Sequence, residues 1–171
     1  MKSTIFGAVL TVLAAVCATQ ALAGDILARF EGGIGVIPVS SAAGPVNDDG
    51  TFPNVNRNDV RGVPPAGQIW VISRLSADAK ADGRIVVRGE GLLLGGGNGI
   101  GTNANAKVFA TLFCGVTESS SNLAGVPLEA NGDFRIDDFL SPPPPALCDT
   151  PVLLIRTANG GRWFAAGIPR E

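Results

Sequence analysis

The sequence predicts an antiparallel β-sandwich of about eight or nine strands with one disulfide, formed by a single domain that follows a cleavable leader. Three observations support this fold class. The 171-residue chain contains 23 Gly and 12 Pro, which divide it into short apolar or alternating segments at fairly regular spacing. Many of these segments are rich in Val, Ile, Phe and Trp, the residues that favour strands. Two cysteines beyond the leader predict a disulfide.

The leader has the organisation of a bacterial Sec-type signal peptide. Lys2 supplies its positive charge, and the stretch 5–16 is apolar but too short to span a bilayer with its flanks. The sequence Ala-Leu-Ala, a small-residue cleavage signal, ends at Ala23, so cleavage is expected before Gly24. We therefore expect residues 24–171 to form a secreted or periplasmic domain, without a membrane span in the mature form.

The first strands of the domain are predicted at 26–30 and 34–39. They form either two strands or one strand bent at Gly32 and Gly33, because residues without a Cβ permit a bulge. The next segment, 40–67, has no sustained periodicity and is rich in turn residues. We expect it to be a long surface loop.

The central strands are clearer in the sequence. The segment 69–75 consists largely of β-formers, and its expected partner is 84–94, with a reversal at Asp82 and Gly83. The intervening stretch 77–81 is compatible with a strand or with one helical turn.

The segment 107–114 has two partly apolar faces, so it is expected in the centre of a sheet. It ends at Cys114. A stiff proline spacer, 142–145, leads to Cys148. Cys17 lies in the leader, so these two are the cysteines available to pair. A disulfide between them would tie a central strand to the segment that enters the last hairpin.

Two hairpins are predicted in the last third of the domain. Segments 126–129 and 133–140 flank an Asn-Gly pair, and segments 151–156 and 162–168 flank Asn-Gly-Gly. The side chains of the first hairpin that are expected to face the core are Phe134, Ile136 and Phe139.

The chain contains no histidine and no tyrosine. Without imidazole, Ser-His-Asp and Cys-His catalytic systems cannot form, and neither can zinc or copper sites built on histidine. The Gly-rich stretch 95–102 does not match a phosphate-binding loop, because no lysine precedes Thr102. We therefore predict a non-enzymatic protein that uses no cofactor.

Two alternatives need only side-chain oxygen atoms: a glycoside hydrolase and a calcium site. A glycoside hydrolase needs two carboxylates at a defined separation, and neighbouring carboxylates on a strand would point to opposite faces. An Asn- and Asp-rich patch within 47–59 could supply oxygen ligands to calcium, but these residue types are also those of ordinary turns, so no metal site is predicted. The nominal catalytic carboxylates are Glu90, Glu129, Asp137 and Asp138.

Trp70 and Trp163 are the only tryptophans. Each lies in a predicted strand beside apolar neighbours, where core packing is the default. An exposed indole would instead suit stacking on a sugar ring, and Trp163, at the start of the last strand, is the better candidate for exposure. A carbohydrate-binding module that uses an exposed Trp is therefore the alternative function.

Several C-terminal stretches, 132–136, 151–156 and 161–168, together with the pair Cys114 and Cys148, resemble a group of small exported bacterial proteins. The resemblance covers roughly the last 100 residues. It implies an exported β-domain with one disulfide and carries over no functional residue.

The leading functional prediction is an envelope or extracellular binding or structural protein. Its loops, especially 40–67 and 95–105, are expected to contact a protein or surface partner. The formal net charge is −2, which argues against nucleic acid or an anionic membrane as the partner. A carboxylate-based glycoside hydrolase and a pilin-like subunit are further alternatives.

Overall fold

The computed structural model describes residues 24–41, 45–51 and 55–170. The predicted signal peptide, 1–23, lies outside the described residues. The described chain forms strands joined by turns, without a helix, and the strand pairs of its sheets are antiparallel. The predicted all-β fold is therefore confirmed. None of these residues belongs to a helix that could cross a membrane.

Thirteen strands lie within the described residues. They are β1 (Ile26–Gly35), β2 (Val39–Ser41), β3 (Val55–Arg57), β4 (Trp70–Val71), β5 (Arg74–Lys80), β6 (Arg84–Glu90), β7 (Leu93–Leu94), β8 (Lys107–Cys114), β9 (Thr117–Ser120), β10 (Val126–Pro127), β11 (Phe134–Phe139), β12 (Val152–Thr157) and β13 (Trp163–Pro169).

Most strands belong to one large sheet in the order β10-β8-β12-β13-β1-β5-β6-β11, with β9 also paired to β8. The two ends of this sheet meet, because Ser120 and Ser141 exchange two backbone hydrogen bonds of 3.0 and 2.8 Å. The sheet therefore nearly closes on itself around a sandwich-like core. We call the line along which β9 and β10 face β11 the seam.

β1 is one bent strand. Of the two alternatives, two separate strands or one strand bent at Gly32 and Gly33, the second is correct. Its register with β13 shifts between Phe30 and Gly33, which is the expected effect of a bulge. Gly35 is required nearby, since a Cβ at this position would overlap the backbone of Trp70 and Val71. The bend brings β1 between β5 and β13.

The predicted pairing of 69–75 with 84–94 is divided between two ladders. β5 and β6 form a hairpin, and β5 continues to Lys80. The stretch 77–81, which is compatible in sequence with a strand or a helical turn, is therefore mainly strand. Gly83 makes the reversal with a φ of +89° and donates its N–H to Lys80 O at 2.9 Å. β4 and β7 pair separately.

The central position of β8 is confirmed. It pairs with β12 on one side and with β9 and β10 on the other, and seven of its eight residues are buried. The disulfide joins Cys114 to Cys148, with Cα atoms 4.6 Å apart. The terminal hairpin of β12 and β13 also forms as predicted.

The prediction that the strands on either side of Asn131 and Gly132 pair with each other is wrong. Gly132 does form a turn, with a φ of +84° and a hydrogen bond to Glu129 O, but β10 pairs with β8 and β11 with β6. A turn signal specifies the reversal and leaves the partner of each flanking strand to long-range packing.

The inward side chains of β11 are Phe134 and Ile136, as predicted, whereas Phe139 is 62% exposed. Successive strand residues alternate between faces. Once Phe134 and Ile136 face the core, Leu140 continues that face and Phe139 points outward. The prediction that Phe139 lies inside is therefore wrong.

The segment 40–67 is not wholly a surface loop. β2 and β3 pair within it, and Val63 and Ala66 are buried in the core. Ala66 N–H donates to Trp163 O at 3.0 Å, and Trp163 N–H donates to Pro64 O at 3.1 Å. The end of this segment therefore covers the beginning of β13.

Candidate functional site

Neither tryptophan presents a ring face to solvent. Trp70 and Trp163 are both buried. The ring of Trp70 stacks on Phe164, with centroids 4.0 Å apart and planes inclined by 14°, and the indole N–H of Trp163 donates to Asn58 O at 2.9 Å. The ligand-contact role considered for these two residues is therefore not supported, because their faces are already occupied by the core.

A cleft of about 770 Å³ lies beside the Trp70 and Phe164 pair. Its other walls carry Gln68, Lys107 and Arg162, and Arg162 donates to Pro65 O at 3.3 Å. Trp70 is 5% exposed and Phe164 is 7% exposed, so little of either ring reaches this cleft. Stacking of a sugar ring on the indole is therefore blocked here.

Two of the four nominal catalytic carboxylates, Asp137 and Glu90, are engaged in surface ion pairs. Asp137 accepts hydrogen bonds from Arg84 at 2.9 Å and from Arg135 at 3.1 Å. The hydrogen bond from Arg84 is the main reason that the pKa of Asp137 lies below its ordinary value, whereas a general acid needs a raised pKa. Glu90 pairs with Arg74 at 3.3 Å.

The part of the Asn- and Asp-rich stretch at 47–51 forms a turn. Asp49 accepts hydrogen bonds from the backbone N–H and the hydroxyl of Thr51 at 2.9 and 2.6 Å, and these bonds lower the pKa of Asp49. Asn47 donates to the same hydroxyl at 2.9 Å. In the ranges that the structure describes, no three His, Cys, Asp or Glu side chains are grouped to hold a metal ion.

An apolar patch lies where the segments 37–39, 67–69 and 96–97 meet. Gly95 N–H donates to Ile69 O at 2.9 Å, and a Cβ on Gly95 would collide with the side chains of Ile69 and Val71. Part of the Gly-rich stretch is thus a place of close backbone approach. A cavity of about 500 Å³ opens there, lined by Ile37, Pro38, Val39, Gly67, Gln68, Ile69, Gly96 and Gly97. We call this lining the apolar patch.

A second depression, of about 780 Å³, lies along the seam. Its rims carry two exposed apolar side chains, Leu123 and Phe139, which are 61% and 62% exposed. Its floor contains the buried ring of Phe109, with the guanidinium carbon of Arg156 at 5.2 Å from the ring centroid. The polar lining consists of Glu118, Ser120, Ser121, Asn122, Asp138, Ser141 and Arg156. We call this depression the seam groove.

The polar side chains of the seam groove are held in place. Arg156 donates from Nε to Gly161 O at 2.7 Å and from Nη1 to Glu118 at 2.6 Å, and its side chain is only 16% exposed. Asp138 accepts the backbone N–H of Asn122 across the seam at 2.8 Å. These contacts give the groove fixed donors and acceptors and suit it to binding.

The sequence gives no indication of this groove. It predicts Phe139 in the core, and nothing in the local sequence indicates that β11 and β12 approach the same depression. In the strand order β12 is third and β11 is last, and closure of the sheet brings them together.

Comparisons with protein-family models, curated proteins and solved structures gave no significant match for this chain.

Proposed function

We propose that this protein is an exported, non-enzymatic binding protein, secreted or periplasmic, that recognises a protein partner through the apolar patch. The observation that carries the proposal is the exposure of the patch. Its three aliphatic side chains, Ile37, Val39 and Ile69, are between 41% and 58% exposed. Clustered apolar side chains on a surface favour an interface that removes them from water.

The composition of the patch favours a protein over an anionic surface or a sugar. All eight residues that line it are uncharged, and Gln68 is the only one with a polar side chain. An ionic partner would find no counter-charge there, and a sugar would find few hydrogen-bonding groups. An apolar face of another protein is the complementary surface.

Export is supported by two independent features of the chain. The first is the arrangement of Lys2, an apolar stretch and Ala-Leu-Ala ending at Ala23. The second is the disulfide between Cys114 and Cys148, since such bonds persist mainly in oxidising compartments.

The test is site-specific photo-crosslinking of the full chain in its native host. A photo-reactive amino acid at Val39 or Ile69 should give a discrete adduct with another protein in the envelope or medium fraction. Matched controls are Val116 and Leu147, which are also highly exposed aliphatic residues but lie outside the patch. Adding Ile69→Asp to the Val39 probe should remove the adduct without changing the melting temperature.

Three outcomes would contradict the proposal. They are the absence of any adduct from the patch, the same adducts from the two control positions, and fractionation of the protein with the cytoplasm. An adduct made of two copies of this chain would replace the separate partner with self-association.

A further inference from the structure

We propose that the seam groove binds a neutral oligosaccharide, with Phe139 as the stacking platform and with Arg156, Glu118 and Asp138 as hydrogen-bonding groups. This site is separate from the apolar patch, and it adds a ligand to the protein recognition proposed above. The prediction of a sugar site built on tryptophan thus moves to a phenylalanine on the opposite face of the sheet from the core.

The first support is the presentation of Phe139. The residue lies at the end of β11, where it is paired with Arg84 of β6, so its backbone is fixed by the sheet. Its ring is nevertheless 62% exposed, and Leu123 on the opposite rim is 61% exposed. An aromatic ring held on a rigid element loses little conformational entropy when a flat apolar face packs on it.

The second support is the pair formed by Arg156 and Glu118. Arg156 is fixed by its bonds to Glu118, Gly161 and Thr111. Within the described residues, Nη2 of Arg156 and Oε2 of Glu118 have no hydrogen-bond partner. The pair therefore offers one further donor and one further acceptor. A sugar hydroxyl both donates and accepts, so neighbouring hydroxyls can satisfy both groups.

Charge in the groove favours a neutral ligand. The positive charge of Arg156 is balanced by Glu118 at 2.6 Å, and Asp138 is bonded to the backbone N–H groups of Asn122 and Phe139 without a cationic partner among the described residues. The groove therefore carries about one net negative charge. Anionic sugars, phosphates and nucleic acid would be repelled.

The backbone around the groove disfavours an extended peptide. Strand addition requires a free row of N–H and C=O groups at a sheet edge. At the groove this row is interrupted, because Ser120 and Ser141 exchange both backbone hydrogen bonds and Asp138 accepts the backbone N–H of Asn122. The hydrogen-bonding groups assigned to the sugar are instead the side chains of Arg156, Glu118 and Asp138.

The test uses the mature chain with its disulfide and named probes: the hexasaccharides of cellulose, chitin, xylan, mannan and amylose. We expect at least one of them to bind in isothermal titration calorimetry. Phe139→Ala should weaken that binding about tenfold, in the range for removal of an aromatic anchor, and Leu123→Ala should weaken it less. Tryptophan fluorescence should not respond, since Trp70 and Trp163 are buried.

Control variants separate this site from the rest of the surface. Leu147→Ala, at an exposed position outside the groove, and Ile69→Asp, in the apolar patch, should bind the sugar as the wild type does. Phe139 is so exposed that its replacement should leave the melting temperature unchanged, which keeps the test valid.

The proposal is overturned if none of the five hexasaccharides binds, or if Phe139→Ala binds as well as the wild type. Preference for oligogalacturonate over every neutral probe would overturn the neutral ligand class. Loss of crosslinking at the apolar patch would leave these results unaffected, so the two proposals can fail independently.

Discussion

Two regions of the same sheet differ in how their strands are held. The stapled region, which we define as β8, β12 and the disulfide between Cys114 and Cys148, has a continuous ladder of six paired positions and a covalent link. At the seam, the segment that follows β11 meets β9 through one pair of residues, Ser120 and Ser141, and the side chain of Asp138 in β11 adds a hydrogen bond to Asn122. The ladder of hydrogen bonds is thus continuous in the stapled region and reduced to a few bonds at the seam.

The direction of the apolar side chains differs in the same way. In the stapled region, Leu153, Leu154 and Ile155 are all fully buried. At the seam, Leu123 and Phe139 point into solvent. One sheet thus combines a region of buried apolar packing with a region that leaves apolar side chains exposed. The seam groove lies at this interruption of the ladder, next to Ser120 and Ser141.

The largest difference should appear when one leucine is truncated in each region. Leu153→Ala removes a fully buried side chain and should lower the free energy of unfolding by about 3–5 kcal/mol, because it leaves a cavity. Leu123→Ala, at the seam, should change it by less than about 0.5 kcal/mol. Urea denaturation of both variants measures this. Equal losses would show that the two regions do not differ as described.

The disulfide should have the next largest effect. Its sequence separation is 34 residues, for which the chain-entropy model gives about 3–4 kcal/mol. The double variant Cys114→Ala and Cys148→Ala should lose roughly this amount of stability in urea denaturation, and a reductant should destabilise the wild type but leave the variant unchanged. Persistence of the wild-type melting temperature under reduction would contradict a stabilising role for the bridge.

The smallest effect is expected from the ion pairs of β11. The pKa of Asp137 is lowered in the folded state, first by the hydrogen bond from Arg84. A depressed pKa means that this contribution to stability is complete above the unfolded value of 3.8 and is lost as the pH falls through the folded pKa. Asp137→Asn should therefore flatten the acid limb of the stability curve, measured by urea unfolding between about pH 6 and 2.

Arg84→Gln should flatten the same limb, because it removes the main cause of the shift. A wild-type slope in both variants would show that the ion pairs of β11 do not contribute to acid sensitivity.

The sequence predicted best those elements whose signal is local. The strand at 107–114 and the last hairpin each follow from a short pattern, and both are confirmed. The pairing of Cys114 with Cys148, also confirmed, follows from the presence of only two cysteines beyond the leader. The errors concern residues whose environment depends on distant segments. Phe139 was expected inside, and Asn131 and Gly132 were expected to join two paired strands.

The candidate sites show the same division. The sequence predicts the segments that contribute to the apolar patch, namely strands at 34–39 and 69–75 and the Gly-rich connection, but it does not predict that they meet. It gave no indication of the seam groove, whose rims and floor come from Leu123, Phe139 and Arg156. These residues lie on segments that become neighbours only when the sheet closes.

The amino-acid sequence alone determined the fold class, the leader pattern and the lack of histidine chemistry, because composition and short-range alternation are properties of single segments. The tertiary structure alone decided the partners of β10 and β11, the burial of both tryptophans and the exposure of Phe139. The physical reason is that strand pairing and burial depend on the whole set of competing surfaces, which no single segment contains.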